Sequence, residues 1–284
     1  MHMDEPGFFS NSRVLIVGLG LMGGSLALAL HGKTAWLGGV DPSSDGLELA
    51  SKLNIFDALS SNLLDVLPLS NVIILAAPVR QNIKIIQSLP GSTTRQIIMD
   101  LSSTKSEIVD ALNLLPPSYD PIGGHPMCGS EKSSIRFARK DLFSGATFIF
   151  TPLARTSANA ISFLTDLIKQ VGAVPLELSA ETHDQMTAET SHFPYIIASA
   201  LSLATHTESK PLISTGFRST ARIAGSSPEM MLDILLTNPG NVLKSIFEFK
   251  SILDQFENAI LKKDTEKLEK LIQQVNEKYS ILIE

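Results

Sequence analysis

A histidine in a glycine-rich segment is the residue of this 284-residue chain best suited to chemistry. His125 follows Gly123 and Gly124, precedes Pro126, and is followed six residues later by Glu131. The glycines permit backbone conformations closed to other residues and the proline fixes a turn, so we predict that the imidazole is held in a rigid loop. With an unperturbed pKa of about 6.5, a neutral imidazole can accept a proton near neutral pH. The segment indicates a general base, and a solvated or structural histidine is the alternative.

A second candidate loop supplies hydroxyl groups. Ser102, Ser103 and Thr104 follow a predicted strand that ends at Asp100. An open α/β sheet places its active site in the loops beyond the carboxyl ends of its strands, so a hydroxyl here and the imidazole can share a hydrogen bond. The alternative is that these hydroxyls cap a helix that starts at Lys105. The two roles can coexist, because a cap needs only one hydroxyl.

A glycine motif points to a nucleotide. The segment 18–23 directly follows a predicted strand and opens a helix, which is the context in which Gly-x-Gly-x-x-Gly binds a pyrophosphate at a helix N-terminus. Asp41 ends the next strand, where a carboxylate accepts hydrogen bonds from ribose hydroxyls and repels a 2′-phosphate, so we predict NAD rather than NADP. The predicted cofactor-binding residues are Gly18, Leu19, Gly20, Leu21, Met22, Gly23, Asp41, Ala77, Pro78 and Val79.

Alternating strand and helix patterns must position these residues. Through the first 180 residues the pattern predicts an α/β fold with a Rossmann-like, mostly parallel sheet covered by helices. The predicted strands are 13–18, 37–41, 72–76, 96–100, a short piece ending near 123, 147–151 and 174–178. The predicted helices between them are 23–30, 45–53, 79–88, 105–114 and 157–171.

The rest of the chain predicts an all-helical second domain. We find no convincing strand after Glu181, and we therefore predict a nucleotide-binding domain over 1–180 and a helical substrate-binding and dimerisation domain over 181–284. The segment 190–203 is apolar on nearly every side and predicts a buried helix. Apolar residues spaced by four and three predict a seam that needs a partner helix. They are Val242, Ile246, Phe249, Leu253, Phe256 and Ile260, with a second set at Leu268, Ile272, Val275 and Tyr279. The same chain can supply that helix, but this domain is too short to cover every apolar residue, so we predict a homodimer.

Composition excludes several classes of protein. A formal charge of −6 and no basic cluster argue against a nucleic-acid partner. The uncharged run 14–30 is interrupted by glycines, so we predict neither a signal peptide nor a membrane span. The single cysteine, Cys128, excludes an intrachain disulfide and fits a cytoplasmic location. His183 and His206 have no partner pattern, and no histidine pair has metal-ligand spacing with a carboxylate, so we predict no metal.

The motifs together resemble one family, the prephenate and arogenate dehydrogenases of tyrosine biosynthesis. Besides the glycine motif, the resemblance rests on the segments 100–105, 123–132, 191–194 and 216–224, which read DLSSTK, GGHPMCGSEK, SHFP and GFRSTARIA. It covers nearly the whole chain. It implies NAD-dependent oxidation of a ring hydroxyl coupled to loss of carbon dioxide, and a dimer formed through the C-terminal helices.

The resemblance also implies roles for individual residues. His125 would be the base toward the substrate hydroxyl and Ser103 its hydrogen-bonding partner, while Arg222 would bind a substrate carboxylate. Arg218 and Arg222 are four residues apart and would share one helical face. Ser219 departs from the acidic residue that many relatives carry, which affects the orientation of the neighbouring arginine. The remaining pocket residues implied are Ser130, Glu131, His192 and Arg218.

Two other functions compete with this one. A two-domain dehydrogenase of the β-hydroxyacid type normally uses a lysine in its helical part, but no lysine lies between Glu181 and Ser209. A sensor that binds NAD without turnover would leave His125 and Ser103 without a task. Cys128, three residues beyond His125, adds the hypothesis that alkylation of its thiol inhibits activity.

Overall fold

The computed structural model describes residues 7–129, 132 and 134–283. These residues form eight strands and twelve α-helices, joined in places by short 3₁₀ or π turns. The strands are β1 (Arg13–Val17), β2 (Trp36–Val40), β3 (Ala58–Ser60), β4 (Val72–Leu75), β5 (Gln96–Asp100), β6 (Tyr119–Pro126), β7 (Thr147–Pro152) and β8 (Val174–Glu177). The helices are α1 (Leu21–Leu30), α2 (Ser44–Lys52), α3 (Leu63–Val66), α4 (Val79–Ser88), α5 (Ser106–Asn113), α6 (Ala158–Gln170), α7 (Ala180–Thr187), α8 (Phe193–Ala204), α9 (Thr215–Ala221), α10 (Pro228–Thr237), α11 (Pro239–Leu261) and α12 (Thr265–Ile283).

All eight strands lie in one sheet, in the order β3-β2-β1-β4-β5-β6-β7-β8. Neighbouring strands are parallel except β6 and β7, which pair in opposite directions. The chain order reverses on either side of β1, so that β2 and β4 both flank it. Crevices at such switch points, beyond the carboxyl ends of the strands, are where α/β sheets bind ligands.

The central strands are buried on both faces because their apolar side chains alternate between two cores. Val14 and Ile16 of β1 lie in one core, which includes residues of α1 and α6. Leu15 and Val17 lie in the other, which includes residues of α4 and α5. A strand covered on both faces reads as a continuous apolar run, as 14–17 does. The predicted α/β class with a mostly parallel sheet is confirmed.

The structure corrects the prediction that His125 lies in a loop. His125 belongs to β6 and pairs with Ile149 of β7. Strand β6 continues past the end of its parallel neighbour β5, and β7 completes the pairing of the last residues of β6 from the other side. Gly124 allows this close approach, because a Cβ there would lie 2.7 Å from the carbonyl oxygen of Asp100.

Beyond β8 the described residues are helical, as predicted. The contacts divide the chain into two compact units, residues 1–238 and 239–284, and the domain boundary predicted at residue 180 remains a prediction. Helix α8 is less buried than predicted: only Ala198 is buried, and Leu203 is 89% exposed. Among the described helices, none combines the length and apolarity that crossing a bilayer requires.

Candidate active site

A cavity of about 290 Å³ opens beyond the carboxyl ends of β1, β4, β5 and β6. It brings together the end of the glycine loop, the segment after β4, the serine loop after β5, and His125. The residues that line it are Gly20, Leu21, Met22, Ala76, Ala77, Pro78, Val79, Leu101, Ser102, Ser103, His125, Pro126, Cys128, Gly129, Lys132, Ser134, Ser227, Glu229, Met230, Asp233 and Ile234.

The glycine loop has the geometry that a nucleotide requires. Gly18 has a φ of +96°, and a Cβ there would lie 2.7 Å from the backbone nitrogen of Ala77, so this turn requires glycine. A Cβ on Gly23 would lie 1.9 Å from the Gly18 carbonyl oxygen, which shows how closely α1 packs on the turn. A Cβ added to Gly20, the residue before α1, would have no neighbouring atom within 4 Å. The helix N-terminus is therefore open to an anion.

Asp41 lies directly after β2 and beside the glycine loop. Its Oδ2 accepts the backbone N–H of Leu19 at 2.8 Å, and its Oδ1 accepts that of Ser43 at 2.9 Å. A carboxylate offers about four acceptor positions, so two backbone bonds leave capacity for ribose hydroxyls. This arrangement fits the predicted role of Asp41 toward an adenosine ribose.

In the serine loop, two hydroxyls hydrogen-bond to other side chains and the third, that of Ser103, lies at the cavity. Ser102 Oγ accepts a hydrogen bond from Asn82 Nδ2 at 3.0 Å, and Thr104 Oγ1 lies 2.8 Å from Thr237 Oγ1. Ser103 is half-buried and lines the cavity beside His125. None of the three hydroxyls caps α5, whose N-terminal N–H groups bond instead to the carboxylate of Asp184.

His183, rather than Ser103, makes the hydrogen bond to His125 in this structure. His125 Nδ1 lies 2.8 Å from His183 Nε2, and His183 Nδ1 lies 2.8 Å from Asp184 Oδ1. The sequence shows no partner pattern for His183, because one partner, His125, is distant in sequence and the other, Asp184, is simply the next residue on α7. Burial lowers the pKa of His125 well below 6.5, and the nearby His183 and Lys105 act in the same direction. His125 is therefore neutral at pH 7, as a general base must be.

A buried ion pair holds the serine loop against β6. Lys105 Nζ lies 2.6 Å from Asp100 Oδ2, and neither side chain is exposed to solvent. Lys105 Nζ also donates to the carbonyl oxygens of Ser102 and Thr104, while Asp100 Oδ1 accepts the N–H of Gly124. Because one carboxylate contacts both segments, the pair fixes the serine loop relative to the strand that carries the imidazole.

His192 is buried and is not among the residues that line the cavity. It ends the π turn Ala188–His192, and its Nδ1 lies 3.3 Å from the side-chain nitrogen of Asn238. Burial lowers its pKa to about 4, so the ring is neutral at pH 7. The structure therefore places His192 in the core, and contact with substrate remains a prediction for this residue.

The predicted anion-binding residues do not meet in the cavity. Arg218 lies on α9, but Arg222 begins the 3₁₀ turn Arg222–Gly225, so the two do not share one α-helical face as predicted. The α-helix ends at Ala221, shortly before Gly225 and Pro228. Both arginines are exposed and neither lines the cavity. Ser130 and Glu131 lie outside the described residues.

Sequence reasoning missed several residues of the site. Lys132 contributes a cation to the cavity lining, and Glu229 and Asp233 contribute carboxylates from α10. Asp233 also accepts the backbone N–H of Arg80 at 3.3 Å, which joins α10 to the start of α4. Spacing along the chain could not have found the contact between Asp233 and Arg80, because these residues are 153 positions apart. Within the described ranges, no three side chains of histidine, cysteine, aspartate or glutamate form a group that could hold a metal.

The Cys128 thiol is half-buried at the cavity, and burial raises its pKa to about 11. Its thiolate fraction at neutral pH is then about 10²-fold below that of a free cysteine, whose pKa is about 8.5. We expect iodoacetamide at pH 7.5 to alkylate Cys128 at least about tenfold more slowly than glutathione, as measured by intact-protein mass. Alkylation as fast as that of glutathione would restore the reactive thiol that the sequence led us to expect.

The family match covers both parts of the chain. Residues 25–177 match the description "Prephenate dehydrogenase, nucleotide-binding domain", and residues 179–274 match "Prephenate dehydrogenase, dimerization domain". The prephenate dehydrogenase of Bacillus subtilis (strain 168) is 37% identical over 268 residues, which are 90% of this chain and 72% of that protein.

Two solved structures have a similar fold. Prephenate dehydrogenase from Aquifex aeolicus, in complex with hydroxyphenyl propionate and NAD+, superposes with a TM-score of 0.83 at 29% identity, covering 96% of this chain and 99% of that one. Synechocystis arogenate dehydrogenase superposes with a TM-score of 0.79 at 28% identity, covering 95% of this chain and all of that one. With matches across both domains and 37% identity to a curated relative, this chain belongs to the prephenate dehydrogenase family.

Proposed function

We propose that this protein catalyses the NAD-dependent oxidative decarboxylation of prephenate to 4-hydroxyphenylpyruvate, of arogenate to tyrosine, or of both. The observation that carries the proposal is that one cavity joins the open end of the glycine loop to a neutral histidine. Family membership, the NAD+ complex of the Aquifex aeolicus enzyme and the arogenate dehydrogenase from Synechocystis support the same reaction and these substrates.

The nucleotide would bind along the residues that the sequence assigned to it. The N–H groups at the start of α1, beside Gly20, would meet the pyrophosphate, and Asp41 would accept the ribose hydroxyls. Ala77 and Pro78 line the same cavity as His125, which supports a position for this segment beside the cofactor's reactive end. When bound, NAD supplies the acceptor for the hydride that leaves the substrate's ring carbon.

His125 would take the proton from the ring hydroxyl. Its Nδ1 is occupied by His183, so Nε2 is the nitrogen left to meet a substrate. As the hydroxyl proton moves to Nε2, the carbinol carbon is oxidised, carbon dioxide leaves and the ring becomes aromatic. The protein therefore mainly orients the hydroxyl and supplies a base, and general-base help of this kind is worth about 10²- to 10⁴-fold in rate.

The substrate carboxylates need cationic or hydrogen-bonding partners. Ser103 lines the cavity and can hydrogen-bond the substrate or His125, and Lys132 places a cation there. We retain Ser130, Glu131, His192, Arg218 and Arg222 as proposed substrate contacts on the strength of the family resemblance. Truncation of Arg222 would then raise KM for the substrate more than it lowers kcat.

The direct test follows NADH absorbance with purified protein, NAD and either prephenate or arogenate. The proposal expects turnover with at least one of them and stoichiometric release of carbon dioxide. Absence of turnover with both would remove it. Turnover of a β-hydroxyacid instead, or NAD binding with no turnover of any of these substrates, would favour the two competing functions.

Asp41 should make the enzyme prefer NAD over NADP. A carboxylate beside the ribose repels a 2′-phosphate, and like charges in contact cost several kcal/mol, so we expect kcat/KM to favour NAD by about 10²-fold or more. Asp41→Asn removes the charge and should lower this ratio by about tenfold or more. Because the ratio is taken within one variant, a general loss of folding cancels. A wild-type preference for NADP would contradict the assignment.

We also propose a homodimer that forms through the C-terminal helices. Helices α11 and α12 contact each other, yet apolar residues along both remain exposed, including Phe247 at 74% and Ile260 at 62%. Large exposed apolar surfaces usually mark protein interfaces. A monomeric mass in light scattering at micromolar concentration would contradict the dimer. A cytoplasmic location, without nucleic-acid or membrane partners, is part of the same proposal.

A further inference from the structure

Two buried side chains, Asp184 and His183, and the half-buried His125 form a hydrogen-bonded series that ends at the cavity. Asp184 and His183 are adjacent on α7, and His125 is the penultimate residue of β6. Asp184 Oδ1 lies 2.8 Å from His183 Nδ1, and His183 Nε2 lies 2.8 Å from His125 Nδ1. His183 and Asp184 are at most 1% exposed, so water does not compete for these bonds.

The backbone around Asp184 determines where the protons lie. Its Oδ1 accepts the N–H of Lys105 at 2.7 Å, and its Oδ2 accepts the N–H of Ser106 at 2.8 Å. Both oxygens are therefore acceptors, as in an ionised carboxylate. Burial alone would raise the pKa of Asp184, but the hydrogen bonds from His183, Ser106 and Lys105 outweigh it and lower that pKa. The group that faces this carboxylate, His183 Nδ1, must be a donor.

The tautomer of each ring then follows from its neighbour. Burial lowers the pKa of His183, so this ring is neutral at pH 7 and carries one proton only. With that proton on Nδ1, its Nε2 is an acceptor and the facing Nδ1 of His125 must be a donor. A neutral His125 with its proton on Nδ1 has a lone pair on Nε2. The opposite tautomer would place a hydrogen on Nε2, where it could not accept a proton.

We propose that His183 and Asp184 are positioning residues that hold His125 in the tautomer whose Nε2 is free to accept the substrate's hydroxyl proton. Asp184 also accepts the N–H groups at the N-terminus of α5. The same carboxylate therefore positions both this helix, which follows the serine loop, and, through His183, the imidazole of His125. The proposal rests on the proposed function for the identity of the proton donor. The tautomer itself can be observed without any substrate.

Two variants of His183 separate hydrogen bonding from packing. In His183→Gln the side-chain oxygen can stand near the former Nε2 and accept from His125, whereas His183→Leu fills space without an acceptor. We expect the leucine variant to lose about 10²-fold in kcat, with KM for the substrate and Kd for NAD within about twofold, and the glutamine variant to recover at least about tenfold of that loss. Thr187→Val is the matched control, since it is buried one turn along α7 and should keep wild-type kcat within about twofold.

Nitrogen-15 NMR of histidine-labelled protein gives the second measurement, with His125→Asn used to assign the signals. Wild-type protein should show His125 as a neutral ring protonated on Nδ1, and His183→Leu should lose that single tautomer. Protonation of wild-type His125 on Nε2 would overturn the proposal, as would equal activity losses in the leucine and glutamine variants. If the wild type turns over neither prephenate nor arogenate, the proposed function fails, and the NMR spectrum still decides the tautomer.

Discussion

Substitution of His125 by Asn should lower kcat by about 10²- to 10⁴-fold while Kd for NAD stays within about twofold. Asparagine can place its amide nitrogen near the former Nδ1 and so keep a donor toward His183, but it has no basic nitrogen in place of Nε2. The variant should therefore fold and bind the nucleotide normally. Single-turnover measurement of NADH formation, together with NAD titration by fluorescence, separates the chemical step from binding.

The pH dependence provides a second check on His125. Its pKa is lowered in the folded protein, so the neutral base persists below pH 6.5 and is lost only as the pH falls through that lowered value. The acid limb of kcat/KM should accordingly lie below pH 6.5 in the wild type and disappear in His125→Asn. The matched control is His206→Asn, the same change at an exposed position, which should leave both activity and pH profile unchanged. Normal turnover in His125→Asn would remove this residue from the mechanism.

Replacement of Lys105 by Met should destabilise the protein by about 3–5 kcal/mol at pH 7, because it leaves the carboxylate of Asp100 buried without its countercharge. Both side chains are fully buried at a separation of 2.6 Å. Burial lowers the pKa of Lys105 and the charge of Asp100 opposes that shift, so the carboxylate favours the charged form of the lysine. Urea unfolding at fixed protein concentration measures the loss.

A surface pair provides the comparison for this prediction. Lys52 and Glu48 lie 2.5 Å apart on α2, but both side chains are more than half exposed, so Lys52→Met should leave the free energy of unfolding close to that of the wild type. Combining Lys105→Met with Asp100→Asn should recover part of the loss, since no unpaired charge then remains buried. A loss below about 1 kcal/mol in Lys105→Met would show that the pair contributes little.

The sequence predicted the sheet well because its signals are local. A strand buried on both faces reads as an apolar run, and the glycine motif identifies the turn that follows it. Each predicted strand is present in the structure, and the strand that was missed, β3, has only three half-buried residues. The motifs at 18–23 and 102–104, together with His125, also predicted the main segments that line the cavity.

The sequence could not predict contacts between distant segments. His183 lies 58 residues from His125 along the chain. The carboxylate that orients His183 belongs to Asp184, which also caps α5 by accepting the N–H of Ser106, 78 residues away. The prediction that His125 lies in a loop was wrong because it too depends on a distant segment. Gly-Gly-His-Pro is typical of a turn, but the antiparallel strand β7 pairs with these residues and extends β6. The apolar character of α8 indicated burial, but in a single chain this helix remains half-exposed.

The position of His125 within β6 separates what is constant in this enzyme from what can vary. The imidazole of His125 is attached to hydrogen-bonded strands in the middle of the fold, whereas the segments after β1, β4 and β5 reach the cavity as loops. Loops tolerate substitution and insertion far better than central strands do. Changes of cofactor or substrate preference can therefore accumulate in the loops during evolution while the proposed proton acceptor, His125, keeps its position in the sheet.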